Sequence, residues 1–433
     1  MESLHLTGTW VGIAVLIIFV VSYLAIALEE KLEMNKSKPA LFAGTFSFIL
    51  IGVYYLLNKL PLDPLHHEIG KIVLEVAEIY FFLFVAMTFV ETMIDRRVFD
   101  ALKYQLVSRG YSYRKLFWLT GLIAFFLSPV ADNLTTALIL STVVLTIDRN
   151  TPRFLVPAAI NIVVAANAGG AWSPFGDITT LMVWTAGKGN VVDFLALFPA
   201  SFINWFVTAL LLSLFVPKGR PPFDPTLPPV EMAPGGKEVI GIGIFTIVVA
   251  VLLHILFHFP AMWGMMFGLS LLQLYLYFAK RKWRDERLDI HLNMKKVEHD
   301  TLLFFFGILT SVGALAYLGW LHYISLLYQK VGPTYANVGV GVISAFIDNV
   351  PVMSAVLKSN LEMSHAQWML VTLTAGVGGS LISFGSAAGV GVMGRMKGIY
   401  TFWSHLKFGW AVLAGYIASI GVWYFQFQIL HFY

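Results

Sequence analysis

The stretch Ser128-Pro129-Val130-Ala131-Asp132-Asn133-Leu134-Thr135-Thr136 decides how this chain must be read. It sits at the centre of an apolar run, 116–147, and places a carboxylate and an amide where the surroundings are hydrocarbon. The run is too long for one bilayer crossing and too short for two, which would need about 40 residues and a turn. Two arms of about 12–15 residues, at about 1.5 Å per residue, reach only about 20 Å. That describes a re-entrant hairpin whose tip stops inside a membrane. Residues 333–357 have the same form, with Phe346-Ile347-Asp348-Asn349-Val350-Pro351 at the tip.

The rest of the chain agrees with a membrane setting. Of 433 residues, 58% are hydrophobic and 12% charged, with a mean hydropathy of +0.75. Soluble domains carry about 25% charged residues, so a cytoplasmic enzyme and a disordered tail are both excluded. Apolar segments fall near 9–28, 39–57, 71–94, 154–184, 193–216, 238–258, 261–279, 300–320, 366–393 and 407–428, besides the two hairpins. The chain has no cysteine, which rules out disulfides, iron–sulfur clusters and thiolate metal sites. No basic segment precedes the full-length first run, so no signal peptide is expected.

The basic residues test the hairpin reading. If both hairpins return to the side they entered from, only Lys59, Lys71, Lys188, Lys330 and Lys358 face one side, and the other 24 of the 29 Lys and Arg face the opposite one. If both crossed fully, the split would be 14 against 15. Cytoplasmic loops carry an excess of Lys and Arg, and only the hairpin arrangement has one. The net charge of +4 therefore reports topology, not an acidic partner such as nucleic acid. The expectation is a multi-pass protein of the bacterial inner membrane, in contact with lipid and with both termini periplasmic. The Arg96–Lys115 stretch reads as an amphipathic cytoplasmic helix and Lys280–Lys296 as a basic loop.

Ten crossings and two hairpins divide evenly about a proline-rich cytoplasmic linker, 217–237, into halves 1–216 and 238–433. Asp132-Asn133 in the first half matches Asp348-Asn349 in the second. Gly169-Gly170-Ala171-Trp172-Ser173-Pro174-Phe175-Gly176-Asp177 matches Gly378-Gly379-Ser380-Leu381-Ile382-Ser383-Phe384-Gly385-Ser386. The glycine-rich motifs read as breaks in the helices 154–184 and 366–393. Five crossings per half is odd, so the repeats are inverted. Inverted repeats with interrupted helices at matching positions point to a secondary transporter and its site.

Asp132, Asp177 and Asp348 fall at membrane depth, where an ionised Asp costs about 2.5–3.5 kcal/mol. Such a group pairs with a cation, lines a wet cavity or carries a proton; the bland reading is a buried hydrogen bond holding a hairpin tip. Asp177 has no acidic counterpart, since Ser386 occupies the matching position, and it could simply cap the helix that follows. Hard cations take oxygen ligands. Asn133, Thr135, Thr136, Ser173, Asn349, Ser383 and Ser386 offer them beside the breaks, and Gly169, Gly170, Gly378 and Gly379 free backbone carbonyls. Neither motif contains a basic residue, which favours a cation, Na+ at Asp132, Asp348 or both, over an anion. A carboxylate that binds a cation also binds a proton, so one site holding either is the minimal antiporter.

Other polar residues read more simply. Asn161 and Asn167 precede the first break but do not share a helical face. His254 and His258 have a metal-like spacing where a helix leaves the membrane. Glu75 and Glu78 read as a solvated interface at the outer end of the third helix, and Glu91 and Asp300 as interfacial. An intramembrane aspartyl protease would use two aspartates but leaves Asp348 and the internal repeat unexplained.

On these motifs the chain resembles the NhaD-type sodium/proton antiporters of the ion transporter superfamily, from about residue 70 to 425. The resemblance implies export of Na+ and Li+ in exchange for H+, with no cofactor. It also implies a homodimer, in which a scaffold domain holds the dimer and a transport domain of hairpins and broken helices moves as an elevator. In related symporters each hairpin tip and its facing broken helix bind one Na+. Carried over, Asp132, Asn133 and Ser173 form one site, and Asp348, Asn349, Ser383 and Ser386 the other. The symporters' Ser-Asn-Thr tips are Ala-Asp-Asn and Ile-Asp-Asn here, which removes any evident dicarboxylate site. The alternative on the same fold is an anion permease of the dicarboxylate or arsenite type.

Overall fold

Polar caps start the helices where the apolar runs begin. Thr9 Oγ1 accepts from the Gly12 N–H, Ser112 Oγ from Lys115 and Ser364 Oγ from Gln367, each satisfying a donor that a helix start leaves open. The computed structural model describes residues 6–222, 229–286 and 288–431. Residues 223–228 of the linker, Arg287 of the Lys280–Lys296 stretch and the tips of both termini lie outside the described residues.

The regular elements of the described residues are all helical, with one π-helical segment, Phe425–Ile429, after the last α-helix. The first half holds α1 (Trp10–Ala27), α2 (Glu29–Leu32), α3 (Ser37–Leu57), α4 (Asp63–Asp95), α5 (Val98–Ser108), α6 (Tyr113–Ala131), α7 (Asn133–Ile147), α8 (Pro152–Ala171), α9 (Ile178–Thr185), α10 (Val191–Ala196) and α11 (Phe198–Ser213). The second holds α12 (Gly236–Phe257), α13 (Ala261–Trp283), α14 (Ile290–Lys296), α15 (His299–Leu318), α16 (His322–Val331), α17 (Pro333–Ser344), α18 (Asn349–Lys358), α19 (His365–Gly378), α20 (Ala387–Arg395), α21 (Phe402–Leu406) and α22 (Gly409–Tyr424). Among the described residues, 10 helical segments are long and apolar enough to cross a membrane. Many large apolar side chains point outward, such as Val21, Leu24 and Leu57, as a lipid-facing surface requires.

Three boundaries differ from the sequence reading. The first arm of the first hairpin, α6, runs 19 residues instead of 12–15, because Ser112 caps it ahead of the apolar run and Pro129 is absorbed in its last turn. By length and composition α6 therefore counts among the 10, whereas the second broken helix does not, its longer piece α19 having 14 residues. The helix α4 starts at Asp63, which places Glu75 and Glu78 well inside it and not at its end; Glu75 pairs with Lys358. The Lys280–Lys296 stretch is largely helical, not a loop: α13 continues to Trp283, and Asp289 caps α14.

The hairpins follow from their neighbours. Asn161 Nδ2 of α8 donates to the Phe117 carbonyl of α6 at 2.7 Å, and farther along Ser128 Oγ donates to the Ala166 carbonyl at 2.6 Å. Thus α6 and α8 lie side by side and run the same way, and α7 must bring the chain back between them. In the second half Asn337 Nδ2 reaches Gln367 Oε1 at 2.8 Å and Ser344 Oγ reaches the Ala375 carbonyl at 2.8 Å, which sets α17 and α19 in the same relation about α18. Tyr113 Oη donates to Asp148 Oδ2 at 2.5 Å and closes the base of the first hairpin. Burial works to raise the Asp148 carboxyl. The Tyr113 and Thr151 hydroxyls and the Asn150 and Thr151 N–H groups outweigh it and hold the group below its ordinary range.

The chain forms two compact units that cut across both halves. One comprises 1–91, 242–332 and 353–362; its core joins α1, α3 and α15 through residues such as Val11, Val15, Ile51, Val312 and Leu318. The Tyr55 and Tyr317 hydroxyls are hydrogen-bonded within it. The other comprises 92–241, 333–352 and 363–433, and holds both hairpin tips and both broken helices. Its centre is α8, where Leu155 and Ile160 through Ala166 are fully buried.

Candidate functional site

The two breaks are built by the same contacts. Between α8 and α9 the chain unwinds over 172–177, and between α19 and α20 over 379–386. A Cβ on Gly169 would lie 2.3 Å from the Phe125 carbonyl oxygen, and one on Gly378 would lie 2.1 Å from that of Gly341. Gly170 meets the Gly176 carbonyl as Gly379 meets that of Gly385, at 2.6 and 2.8 Å from the same hypothetical atom. Ser128 binds the Ala166 carbonyl as Ser344 binds that of Ala375. Asp177 and Ser386 both stand as N-caps in extended backbone, at φ −149° and −141°. The carbonyls of the glycine pairs are partly engaged: that of Gly170 accepts from Ser173 and that of Gly378 from Leu381.

Side chains then divide the halves. Asp132 joins α6 to α7 in a left-handed conformation, φ 57°, which a non-glycine residue holds only at some cost. Its carboxylate accepts from the Thr135 N–H at 2.9 Å and from Thr135 Oγ1 at 2.8 Å. Asn133, buried beside it, donates to Asn167 Oδ1 at 3.1 Å. Asn167 Nδ2 in turn reaches Ser380 Oγ at 2.7 Å and Ser386 Oγ at 2.8 Å in the second break. Ser173 Oγ donates to the Pro129 carbonyl at 3.3 Å, tying the first break to the first tip.

The second tip crosses over. Asn349 Nδ2 donates to Asp177 Oδ2 at 2.8 Å, so the second hairpin meets the first break. Asp177 is 4% exposed, and the backbone of Ile178 and Thr179 and the charge of Asp348 act on its carboxylate. Thr180 Oγ1 accepts from its N–H at 3.3 Å, so the capping role is also present. Asp348 Oδ1 accepts from the Val350 N–H at 3.3 Å. The division of residues implied by resemblance, each tip with the broken helix of its own half, thus holds for Ser173 and for Asn133, which meets Asn167 of its own half and reaches the second break only through it, while Asn349 bonds the opposite half directly.

Two hydroxyls at these positions, Thr136 Oγ1 and Ser383 Oγ, are buried with no hydrogen-bond partner among the described residues. A buried polar atom without a partner costs about 1–3 kcal/mol, and an oxygen in that state is an available ligand. Among the described residues the only buried Lys or Arg is Arg96, whose carbonyl accepts from Ala233. The arrangement is therefore a set of oxygen donors with three carboxylates, suited to a small hard cation or a proton.

Asn167 and Ser380 carry the bridge between the halves, and the sequence did not single them out. The signal was available: Asn161 and Asn167 lie on different faces, and only one can meet the break. Asn161 binds Phe117 and Trp205 and is structural. His254 Nδ1 donates to the Phe259 carbonyl, 3.0 Å away, closing the end of α12.

The profile of the family described as Citrate transporter (CitMHS) matches residues 9–376. The chain is 46% identical to the Na+/H+ antiporter NhaD of Alkalimonas amylolytica over 97% of its length and 91% of that protein. It is 45% identical to the Na+/H+ antiporter NhaD of Vibrio cholerae, over 97% and 92%. To sodium/proton antiporter 1 of Arabidopsis thaliana it is 32% identical, over 99% and 76%.

Proposed function

The chain belongs to the NhaD-type sodium/proton antiporter family, and from that premise we propose that it exports Na+ and Li+ in exchange for H+. The observation that carries the reading is the buried Asp177 carboxylate held by Asn349 of the other half; the hydroxyls of Thr136 after the first tip and Ser383 in the second break have no hydrogen-bond partner among the described residues. Asp132, Asn133, Thr136 and Ser173 with their neighbouring carbonyls supply one set of oxygens. Asp348, Asn349 and Asp177, with Ser383 and Ser386, supply the other. An ionised carboxylate holds Na+; a proton arriving at the same oxygen removes the charge and releases the ion. Because the same groups take either species, neither leaves without the other arriving.

The halves 1–216 and 238–433 act as inverted repeats, with both hairpins re-entrant and the tips at membrane depth. The unit that contains both tips and both breaks moves as an elevator, while the other unit is the scaffold and holds a homodimer. The protein lies in the bacterial inner membrane with both termini periplasmic.

Inside-out vesicles from an antiporter-deficient host, energised and acidified, test the exchange with an internal pH dye. NaCl and LiCl should dequench the dye between pH 7 and 9, choline chloride should not, and Asp132→Asn and Asp348→Asn should abolish the response. The family described by citrate transport supplies the competing reading: uptake of labelled citrate, with no cation response in inserted protein, would replace exchange by anion transport.

A further inference from the structure

The stretch 280–296 has no part in the exchange site. It carries seven Lys and Arg against three Asp and Glu, an excess as large as the net charge of the whole chain, +4. Two of its acids are satisfied from within: Lys280 Nζ lies 2.7 Å from Glu286 Oε2 and 3.6 Å from Asp289 Oδ2. Arg281, Lys282, Arg284 and Lys295 stand exposed. Arg281 is held over the Tyr277 ring, its guanidinium carbon 4.5 Å from the centroid, and Lys282 Nζ is 5.8 Å from the centroid of Trp283. A ring beneath a cation orders it and leaves its outward N–H donors open.

The helix that delivers these cations fixes their depth. One face of α13 is closed against α12: a Cβ on Gly264 would lie 2.3 Å from Ala250 Cα, and one on Gly268 would lie 2.0 Å from Thr246 Oγ1. A second face is open, with Phe267 48%, Leu274 57% and Phe278 64% exposed. Arg281 continues that stripe at helical spacing, so it passes from leucine to guanidinium within about 10 Å. Aromatic rings lie in between, where a membrane meets water. Helix α14, which touches α13, repeats the pattern: Ile290 and Asn293 are buried, while Leu292 and Lys295 face outward.

We propose that the end of α13 and α14 form a docking surface for the headgroup of an anionic phospholipid, with Arg281, Lys282 and Arg284 taking its phosphate and Phe278 and Leu292 lying against its acyl chains. Cations in a last turn also favour a helix C-terminus, but that role needs neither rings beneath them nor exposed apolar residues just ahead of them. In the topology proposed above this is the cytoplasmic leaflet, whose anionic lipids attract juxtamembrane basic segments. The inference stands apart from the exchange reading, since the transported ion has no part in it.

The test takes the purified full-length protein in detergent and titrates it with phosphatidylglycerol, phosphatidylcholine or inorganic phosphate, following thermal unfolding by tryptophan fluorescence. Phosphatidylglycerol should raise the unfolding temperature, and the other two should not. The triple variant Arg281→Gln/Lys282→Gln/Arg284→Gln should raise the half-saturating phosphatidylglycerol at least about tenfold, since one cation near an anionic surface is worth about a factor of five. Its unfolding temperature in phosphatidylcholine should stay that of the wild type. Tyr277→Leu, which removes the ring under Arg281, should raise half-saturation about threefold. Lys59→Gln/Lys71→Gln/Lys330→Gln removes three exposed cations elsewhere and should shift nothing. Equal protection by phosphatidylcholine or by phosphate overturns the proposal, as does an equal shift in the two triple variants. A first triple that is less stable in both lipids with half-saturation unmoved also overturns it, leaving those cations to the helix end. If that triple does not fold, Arg281→Gln decides: about a fivefold rise is expected, and no rise overturns the proposal. Because the readout is lipid binding, a chain silent to Na+ would overturn the exchange reading alone, and a chain that exchanges Na+ without distinguishing the lipids would overturn this inference alone.

Discussion

The break after α8 and the break after α19 share a skeleton and differ in charge. Both are held by a glycine pressed on the first hairpin arm of its own half, by a serine bound to a helix carbonyl and by an N-cap at the same backbone angles. At the cap itself one has Asp177 and the other Ser386. Where Asp177 takes the tip asparagine directly, Ser386 takes it through Asn167. The backbone contacts are therefore what the two breaks share, and the side-chain chemistry is where they differ. One break offers a charge that a proton can cancel; the other offers a neutral relay of amide and hydroxyls.

Exchanging the caps breaks the comparison most severely. Serine caps a helix as well as aspartate, so Asp177→Ser should leave α9 formed. It removes the carboxylate from Asn349, and a hydrogen bond to a charged group is worth about 1.5–3 kcal/mol, which places exchange about 10- to 100-fold down. Everted-vesicle dequenching with Na+ measures it. A variant that keeps more than about a tenth of the wild-type rate would reduce Asp177 to a cap.

The glycine pair tests the shared skeleton. Gly169→Ala and Gly378→Ala each drive a methyl into a carbonyl oxygen of the neighbouring arm, and overpacking of this kind costs about 1–3 kcal/mol. Gly376→Ala is the control, since its added atom would meet Ala171 Cβ at an ordinary 3.5 Å. Thermal unfolding in detergent should show the first two lowered by similar amounts and the third near the wild type. A large loss at one of Gly169 and Gly378 alone would mean that the two breaks are not equivalent.

What could be read from the chain alone follows the same division. The hairpins and breaks were legible because Ser128–Thr136, Phe346–Pro351 and the two glycine motifs interrupt hydrocarbon, where any polar group must have a reason. Helix ends were less legible: Pro129 reads as a stop, yet a proline in a last turn can be carried by a helix already anchored at Ser112, and α4 begins at Asp63, where mixed polarity hides its start. The crossing of Asn349 to the opposite break, and the relay that carries Asn133 there through Asn167, were not legible at all. Periodicity places Asn133 and Asn349 on their helices, but which break they meet depends on how α8 and α19 pack against each other, and one chain's spacing carries no such distance. Asn167 escaped for the same reason, since its role exists only once the second break lies against it.

The neutral relay predicts a smaller loss than the charged contact. Asn167→Ala should raise half-saturating Na+ about tenfold, with Asn133→Ala similar and the double variant well short of the product, because both break one chain of hydrogen bonds and neighbours in a network couple by about 0.5–3 kcal/mol. Half-saturation read from a NaCl series gives the cycle. Fully additive effects would separate Asn133 from the second break and leave Asn167 alone to carry the bridge to Ser380 and Ser386.

The smallest expected effect is the most exacting test of equivalence. Ser128 and Ser344 each donate one hydrogen bond to a buried helix carbonyl, at 2.6 and 2.8 Å. Each stands four residues before its tip aspartate, and neither bears on the cation in the reading above. Replacing either with alanine removes one donor from a helix carbonyl, so the cost is the net worth of one hydrogen bond, about 1 kcal/mol. The two variants should lower the unfolding temperature by matching amounts and leave half-saturating Na+ where it was. A mismatch in stability would show that one hairpin arm is held elsewhere. A shift in affinity with Ser128→Ala alone would show that the first tip transmits strain, since Asp132, in its left-handed conformation, is the residue that the loosened arm would release.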